Sequence, residues 1–126
     1  MNQPLIYKVD FKYRNEVSLL DAVIDIFSKT VLNKELSFRE RTVLREYILN
    51  GYSTTTKKSL KISLGITSEN INTLNCTLQK KGFLKQHDGN HRNKVVNDDL
   101  MNLKKVFIEN QNKKCFLINF VLDDNT

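Results

Sequence analysis

The sequence predicts a protein of the α+β class that is mainly α with a small β component. Apolar residues recur every three or four positions over most of the chain, which is the pattern of amphipathic helices. Alternation with a period of two is confined to short segments, and one proline and four glycines leave few breaks between long elements. With 126 residues, the chain is expected to form one domain around its own core.

The chain opens with an alternating segment and then changes to a helical period. From Leu5 to Tyr13, large apolar side chains alternate with polar ones, which predicts a strand. From Glu16 to about Thr30 the spacing predicts an amphipathic helix. Its inward face is expected to comprise Val17, Leu20, Ile24, Phe27 and Val31. This face either packs against the chain's own core or forms a homodimer seam, and the spacing fits both.

A capping box begins the first of three helices predicted between residues 36 and 82. Ser37 is expected to accept from a free N–H group of the first turn, while Glu40 reaches back to the Ser37 N–H. Gly51 is a natural stop for this helix. A polar connection then leads to the second helix, which is expected from Lys57 to Leu64.

A tight corner at Gly65 separates the second helix from the third. Ile66 is expected to fill the core there, and Thr67 or Ser68 caps a third helix that continues to about Lys81. A glycine corner sets two helices at a steep angle, so the third helix is expected to project from the body. The residues of the three helices and the corner that are expected to face the core are Val43, Leu44, Tyr47, Ile48, Leu60, Ile62 in part, Leu64, Ile66, Ile71, Leu74 and Leu78.

A hairpin, a helix and a strand are predicted for the rest of the chain. Phe83-Leu84 and Val95-Val96 are matching apolar pairs, and Asp88-Gly89 is a turn signal between them. Asn97 can cap a helix whose apolar side comprises Leu100, Leu103, Val106 and Phe107. The nearly continuous apolar run Cys115–Leu122 predicts a buried strand beside the opening strand.

The positive charge is concentrated in the middle of the chain. The net charge is +6, and residues 57–94 account for all of it with eight Lys/Arg against two Asp/Glu. The segments on either side, residues 1–56 and 95–126, carry net charges of +1 and −1. A local excess of this kind is typical of a surface that binds a polyanion. A basic surface that serves solubility or meets an acidic protein partner is the alternative.

Residues 36–44, LSFRERTVL, look like the opening of LuxR-type and sigma-factor-like helix-turn-helix domains, and Leu64-Gly65-Ile66-Thr67 is similar to their turn. Lys81-Gly82-Phe83-Leu84 resembles the step into the wing of winged-helix regulators. Lys61 departs from the pattern, because such domains often place alanine there for close helix crossing. The resemblance covers residues 36–96 and implies a winged helix-turn-helix core.

The predicted organisation has three parts. Residues 1–35 form an N-terminal strand and helix, residues 36–96 the winged helix-turn-helix, and residues 97–126 a C-terminal helix and strand. The two flanking parts are expected to extend the core or to build a dimer interface. In the middle part, the third helix is expected to enter the major groove of double-stranded DNA while the hairpin lies along a phosphate backbone.

Helical geometry selects the residues of this predicted interface. At 100° per residue, the positions opposite the inward face of the third helix point outward. The predicted base contacts among them are Glu69, Asn72, Thr73 and Cys76. The predicted phosphate contacts are Lys57, Lys58, Lys80, Lys85, Arg92 and Lys94. Asn72 suits an adenine edge and Thr73 a thymine methyl group, although a generic polar helix face has the same composition.

The sequence has no arrangement typical of an enzyme, a metal protein or a cofactor-binding protein. A glycine-rich phosphate loop and a placeable Cys/His or Ser/His pair are both missing. His87 and His91 flank a predicted turn, so we expect them not to share a metal. Cys76 and Cys115 match no paired ligand spacing.

Localisation and function are expected to follow from these features. No stretch reaches the length of a membrane span, and the first ten residues lack the pattern of a secretory signal, which predicts a cytoplasmic protein. Abundant asparagine is common in AT-rich genomes, including those of phages. We expect a DNA-binding winged-helix protein that regulates transcription or takes part in phage or plasmid DNA metabolism. The alternative is a winged-helix interaction module that acts as an assembly or virion component.

Overall fold

The computed structural model describes residue 12 and residues 14–87 and 90–107, with the side chains of residues 90–92 and 107 excepted. Within these residues, five α-helices surround one core and a two-stranded antiparallel sheet follows the fourth helix. The elements are α1 Glu16–Phe27, α2 Phe38–Asn50, α3 Thr54–Leu64, α4 Ser68–Lys80, β1 Leu84–His87, β2 Asn90–Val96 and α5 Asp98–Phe107. The predicted α+β class, mainly α with a small β component, is confirmed. The strands predicted at 5–13 and 115–122, and the turn at 88–89, lie outside the described residues.

α1 buries a different face from the predicted one at both of its ends. Leu20, Ile24 and Phe27 are buried as predicted, but Val17 and Val31 are 41% and 58% exposed, so these two assignments are wrong. A π-helical turn, Ser28–Leu32, follows Phe27. The extra residue in a π turn advances the core position by five, so Leu32 packs on the core in place of Val31. At the start of α1, Leu19 and Val23 are also buried, because they pack against Leu103 of α5. The buried face is therefore turned away from Val17, relative to the predicted face.

α2 begins at the predicted capping box. The Ser37 N–H donates to Glu40 Oε1 at 2.7 Å, and Glu40 N–H donates to Ser37 Oγ at 3.1 Å. The four predicted inward residues are all buried; they are Val43, Leu44, Tyr47 and Ile48. Gly51 ends the helix, as predicted.

α3 begins earlier than predicted and buries less. Ser53 accepts from the Thr56 N–H at 3.1 Å, so the helix starts at Thr54 and not at Lys57. Leu60 is buried and Leu64 is half-buried. The prediction that Ile62 is partly buried is wrong, because two residues correspond to about 200° around a helix and Ile62 lies opposite Leu60. Its side chain is 83% exposed.

The α3–α4 corner follows the prediction. Gly65 has a φ of +64°, in the left-handed region that glycine adopts without strain, and its N–H donates to the Lys61 carbonyl. Ile66 is buried at the corner, and Thr67 caps α4 by accepting from the Asn70 N–H at 3.1 Å. In α4, Ile71 and Leu78 are buried, and Leu74 packs against the core as predicted but is only partly buried.

The hairpin packs on the core through its first pair of residues. Leu84 and Val96 are buried cross-strand partners, and the Phe83 ring meets the Phe27 ring edge-on at 6.3 Å. Asn97 caps α5 as predicted, because its Oδ1 accepts from the Asp99 N–H at 2.8 Å. Its Nδ2 also donates to the Gly82 carbonyl at 3.0 Å, which joins the cap to the base of the hairpin.

The apolar side of α5 is buried at its start and open at its end. Leu100 is buried and Leu103 is half-buried. Val106, predicted on the same side, is 49% exposed. The side chain of Phe107 lies outside the described residues. α5 therefore joins the core through its first turns.

A nearly buried ion pair ties the start of α2 to the end of α4. Lys81 Nζ lies 3.0 Å from both carboxylate oxygens of Glu40, whose side chain is 8% exposed. The same ammonium donates to the Glu35 carbonyl at 2.8 Å. Burial raises the pKa of Glu40, but the hydrogen bonds from Ser37 and Lys81 lower it by more, so the pKa lies below its usual value.

Acid is expected to destabilise the protein through Glu40. Because the folded pKa is depressed, the stabilisation is complete above the usual glutamate pKa and is lost as the pH falls through the folded value. Urea unfolding measured from neutral to acidic pH checks this. Glu40→Gln keeps the acceptor for the Ser37 N–H and removes the titration, so its free energy of unfolding is expected to depend less steeply on pH. Parallel curves for the two proteins would show that Glu40 does not set the acid sensitivity.

Candidate nucleic-acid interface

The outward face of α4 carries the residues that were predicted to contact bases. Glu69, Asn72, Thr73 and Cys76 are all exposed, and so is Lys80 near the end of the helix. Cys76 is a free thiol. The rotation of α4 predicted from the sequence is therefore confirmed on its outer side.

Two side chains on this face present chemically distinct groups. The Thr73 hydroxyl donates to the Glu69 carbonyl at 3.0 Å, so its hydrogen is used within the helix and its methyl group is left for an external contact. The side-chain amide of Asn72 has no hydrogen-bond partner among the described residues, so it keeps both donor and acceptor capacity. A methyl group beside an exposed amide matches the thymine methyl and the adenine edge of a major groove.

Five of the seven lysines of residues 57–94 lack a carboxylate partner among the described side chains, and three of these five contact neutral groups. Lys57 Nζ lies 4.0 Å from the centroid of the Tyr52 ring, Lys61 Nζ donates to Ser68 Oγ at 3.0 Å, and Lys94 donates to the Gln79 amide oxygen. Lys58 and Lys80 are exposed. None of these five has a carboxylate partner among the described side chains, so their charge is not neutralised within that part of the chain.

Two lysines of the same segment do have carboxylate partners. Lys81 belongs to the ion pair with Glu40, and Lys85 Nζ lies 2.7 Å from Asp98 Oδ2 at the start of α5. The Lys85–Asp98 pair is open to solvent, with side chains 52% and 78% exposed. Lys85 is exposed and its ammonium has three donors, so it can bind a second anion while it holds Asp98. The side chain of Arg92 lies outside the described residues.

The lysine that departs from the helix-turn-helix pattern is accommodated by its shape. Lys61 is half-buried, so its aliphatic stem lies against the corner while its ammonium reaches Ser68 at the start of α4. The two helices are therefore bridged across the corner by a side-chain hydrogen bond.

Two arginines of α2 are paired with aspartates of α1. Arg45 Nη1 lies 3.1 Å from Asp21 Oδ2, and Arg41 Nη1 lies 3.0 Å from Asp25 Oδ2. These bonds connect α1 to α2. Arg41 and Arg45 are therefore neutralised by aspartates, unlike the five lysines of α3, α4 and β2 that have no carboxylate partner among the described side chains.

A buried polar chain behind α4 was missed by the sequence analysis. The Tyr47 hydroxyl donates to Asn75 Oδ1 at 2.7 Å, and Asn75 Nδ2 donates to the Tyr52 hydroxyl at 3.3 Å. Asn75 is 2% exposed, and burial raises the pKa of Tyr47. The signal for Asn75 was its spacing, four residues after Ile71 and three before Leu78, which places it on the inward face.

No cluster of three or more His, Cys, Asp or Glu that could hold a metal occurs in the described part of the chain. Among residues 14–87 and 90–107, no helix is both long enough and apolar enough to cross a membrane. No protein-family model matches the sequence, and no curated protein or solved structure is significantly similar to it.

Proposed function

We propose that this protein binds double-stranded DNA as a winged-helix protein, with α4 in the major groove and the hairpin on a phosphate backbone. The observation that carries the proposal is the exposed polar face of α4 together with lysines of α3, α4 and β2 that have no carboxylate partner among the described side chains. The order of elements supports it, because α2, α3 and α4 are followed directly by a two-stranded hairpin. A projecting helix of this size fits the major groove, where donor and acceptor patterns distinguish the base pairs.

Sequence reading is assigned to the outer face of α4. Asn72 pairs with an adenine edge, the Thr73 methyl group meets a thymine methyl, and Cys76 lies on the same side one turn further on. Glu69 accepts from a cytosine amine, which offsets the repulsion between a carboxylate and nearby phosphates. These contacts give sequence preference and add little to the overall electrostatic affinity.

Backbone binding is assigned to lysines from three elements and to the hairpin arginine. Lys57 and Lys58 lie on α3, Lys80 on α4 and Lys94 on β2. Lys85 joins them by donating to a phosphate while it keeps its bond to Asp98, since an ammonium has three donors, and Arg92 is assigned from the sequence. Contacts of this type position the protein on the duplex without reading its bases.

This activity is that of a cytoplasmic regulator of transcription or of a factor in phage or plasmid DNA metabolism. A second copy of the chain has a surface to meet, since Val17 on α1 and Val106 on α5 are exposed and suit a homodimer contact. The second candidate function is a protein-interaction module that acts in assembly or as a virion component. Ile62 favours it, because an isoleucine that is 83% exposed beside basic residues suits an acidic protein partner with an apolar patch.

Selection from a random duplex pool tests the proposal. The unaltered protein is expected to enrich a defined motif, and the double variant Asn72→Ala, Thr73→Ala is expected to lose about 1 to 3 kcal/mol of discrimination per base contact. The free energy of unfolding of the double variant is expected to change by about 0.5 kcal/mol or less, because both side chains are exposed.

The salt dependence of the double variant is the internal control. Phosphate contacts set the slope of log affinity against log salt, so base-reading variants are expected to keep that slope. If the unaltered protein enriches no motif, specific regulation is excluded. If it also fails to bind bulk duplex at low salt, the protein-interaction function becomes the better account.

A further inference from the structure

Tyr52 lies where the α2–α3 connection meets the hairpin. Its side chain is half-buried, its ring centroid is 4.8 Å from that of Tyr47, and the Lys57 ammonium stands 4.0 Å from its face. The ring therefore has a buried neighbour on one side and a cation on another. Tyr52 is not among the interface residues predicted from the sequence.

The direction of the polar chain leaves the Tyr52 hydroxyl as a donor. Tyr47 is 1% exposed, and among the described residues the Asn75 amide oxygen is the acceptor for its hydroxyl hydrogen. This bond fixes the orientation of the amide, so Asn75 presents its NH₂ group to Tyr52. The Tyr52 oxygen accepts that bond and keeps its own hydrogen, for which the described residues supply no acceptor.

The surroundings of this hydroxyl favour an anion as the acceptor. Tyr52 lines an open cleft of about 560 Å³ together with Lys85 and Lys94 of the hairpin, and Asp98 is the one carboxylate among the lining residues that the structure describes. Asp98 is held by Lys85 at 2.7 Å. Lys57 adds a third cation on the ring of Tyr52. A neutral donor in a cleft that is lined by lysines is a suitable partner for a phosphate oxygen, which accepts hydrogen bonds strongly.

We infer that Tyr52 is a phosphodiester-binding residue, whose hydroxyl donates to a backbone oxygen of the DNA while Lys57 and Lys94 supply the charge. The inference rests on the proposed DNA-binding function. It adds a phosphate contact that lies between the helix-turn-helix and the hairpin. Asn75 is the positioning residue, because it holds the Tyr52 oxygen from behind and directs its hydrogen into the cleft.

Tyr52→Phe tests the inference, because it keeps the ring under Lys57 and removes the hydroxyl. The variant is expected to bind duplex DNA about tenfold more weakly on every sequence, as loss of a hydrogen bond to a charged group does. Its salt slope is expected to be unchanged, since a neutral hydroxyl displaces no counterion. Lys57→Gln is the complementary variant, and its slope is expected to become less negative by about 0.9.

Ser63→Ala is the matched hydroxyl control. Ser63 is an exposed hydroxyl of α3 that lies outside the Tyr52 cleft, so its removal is expected to leave affinity unchanged. Circular dichroism establishes that each variant is folded at the assay temperature. If the unaltered protein binds duplex and Tyr52→Phe binds equally well, the inference is wrong and the proposed function stands. If the unaltered protein does not bind duplex, both are overturned.

Discussion

A variant that carries Lys58→Gln, Lys80→Gln and Lys94→Gln is expected to bind duplex DNA about 500-fold more weakly at about 0.1 M salt. The three lysines come from α3, α4 and β2, and none has a carboxylate partner among the described side chains. Each lysine–phosphate contact releases about 0.9 counterion, which amounts to about eightfold in affinity per contact at that salt concentration. Fluorescence anisotropy of a labelled duplex measures the loss.

The salt series identifies the origin of this effect. Loss of three phosphate contacts is expected to make the slope of log affinity against log salt less negative by about 2.7. A matched triple variant with Lys12→Gln, Lys29→Gln and Lys34→Gln removes the same charge from exposed lysines outside residues 57–94. It is expected to keep most of the affinity and most of the slope. Equal losses in the two variants would mean that net charge drives binding and that the surface around α4 is not the interface.

Elements whose ends are set by local chemistry were predicted well from the sequence. The capping box of Ser37 and Glu40 and the left-handed Gly65 depend on residues within a few positions of one another, and both occur as expected. The paired apolar residues Leu84 and Val96 likewise set the hairpin register. Local rules suffice for the two helix ends because their hydrogen bonds join residues three or four positions apart.

Features that depend on distant residues were missed. The π-helical turn after Phe27 shifts the core position from Val31 to Leu32, and no local pattern marks it. The burial of Asn75 was missed although its spacing places it on the inward face, because the hydroxyl that binds it belongs to Tyr47, which is 28 positions away in the chain. A buried amide is acceptable only where such a partner exists, and single-sequence periodicity contains no information on partners.

The candidate interface divides along the same line. The exposure of Asn72, Thr73 and Cys76 follows from helical geometry once the inward face is known, so it could be predicted. The partners of Lys85 and Lys94 depend on how the hairpin packs against α5 and α4, and could not. The donor role of the Tyr52 hydroxyl is the feature that the sequence predicts least, because it depends on the directions of two successive hydrogen bonds, from Tyr47 to Asn75 and from Asn75 to Tyr52.

The second large effect expected is on stability, and it distinguishes two leucines of α4 that the sequence treats alike. Leu78 has no exposed surface and lies in the main core, whereas Leu74 is only partly buried against it. Leu78→Ala is expected to lower the free energy of unfolding by about 2 to 5 kcal/mol, because truncation leaves a cavity in a packed core. Leu74→Ala is expected to cost about 1 kcal/mol, since solvent fills part of the vacated space.

Urea unfolding followed by circular dichroism measures the free energy of unfolding of both variants. If the slope of unfolding free energy against urea concentration is the same in both variants as in the unaltered protein, all three expose the same surface on unfolding. Equal losses in the two variants would mean that Leu74 is buried as deeply as Leu78 and that α4 is rotated from the position described. That rotation would move Asn72 and Thr73 away from the face proposed to read DNA.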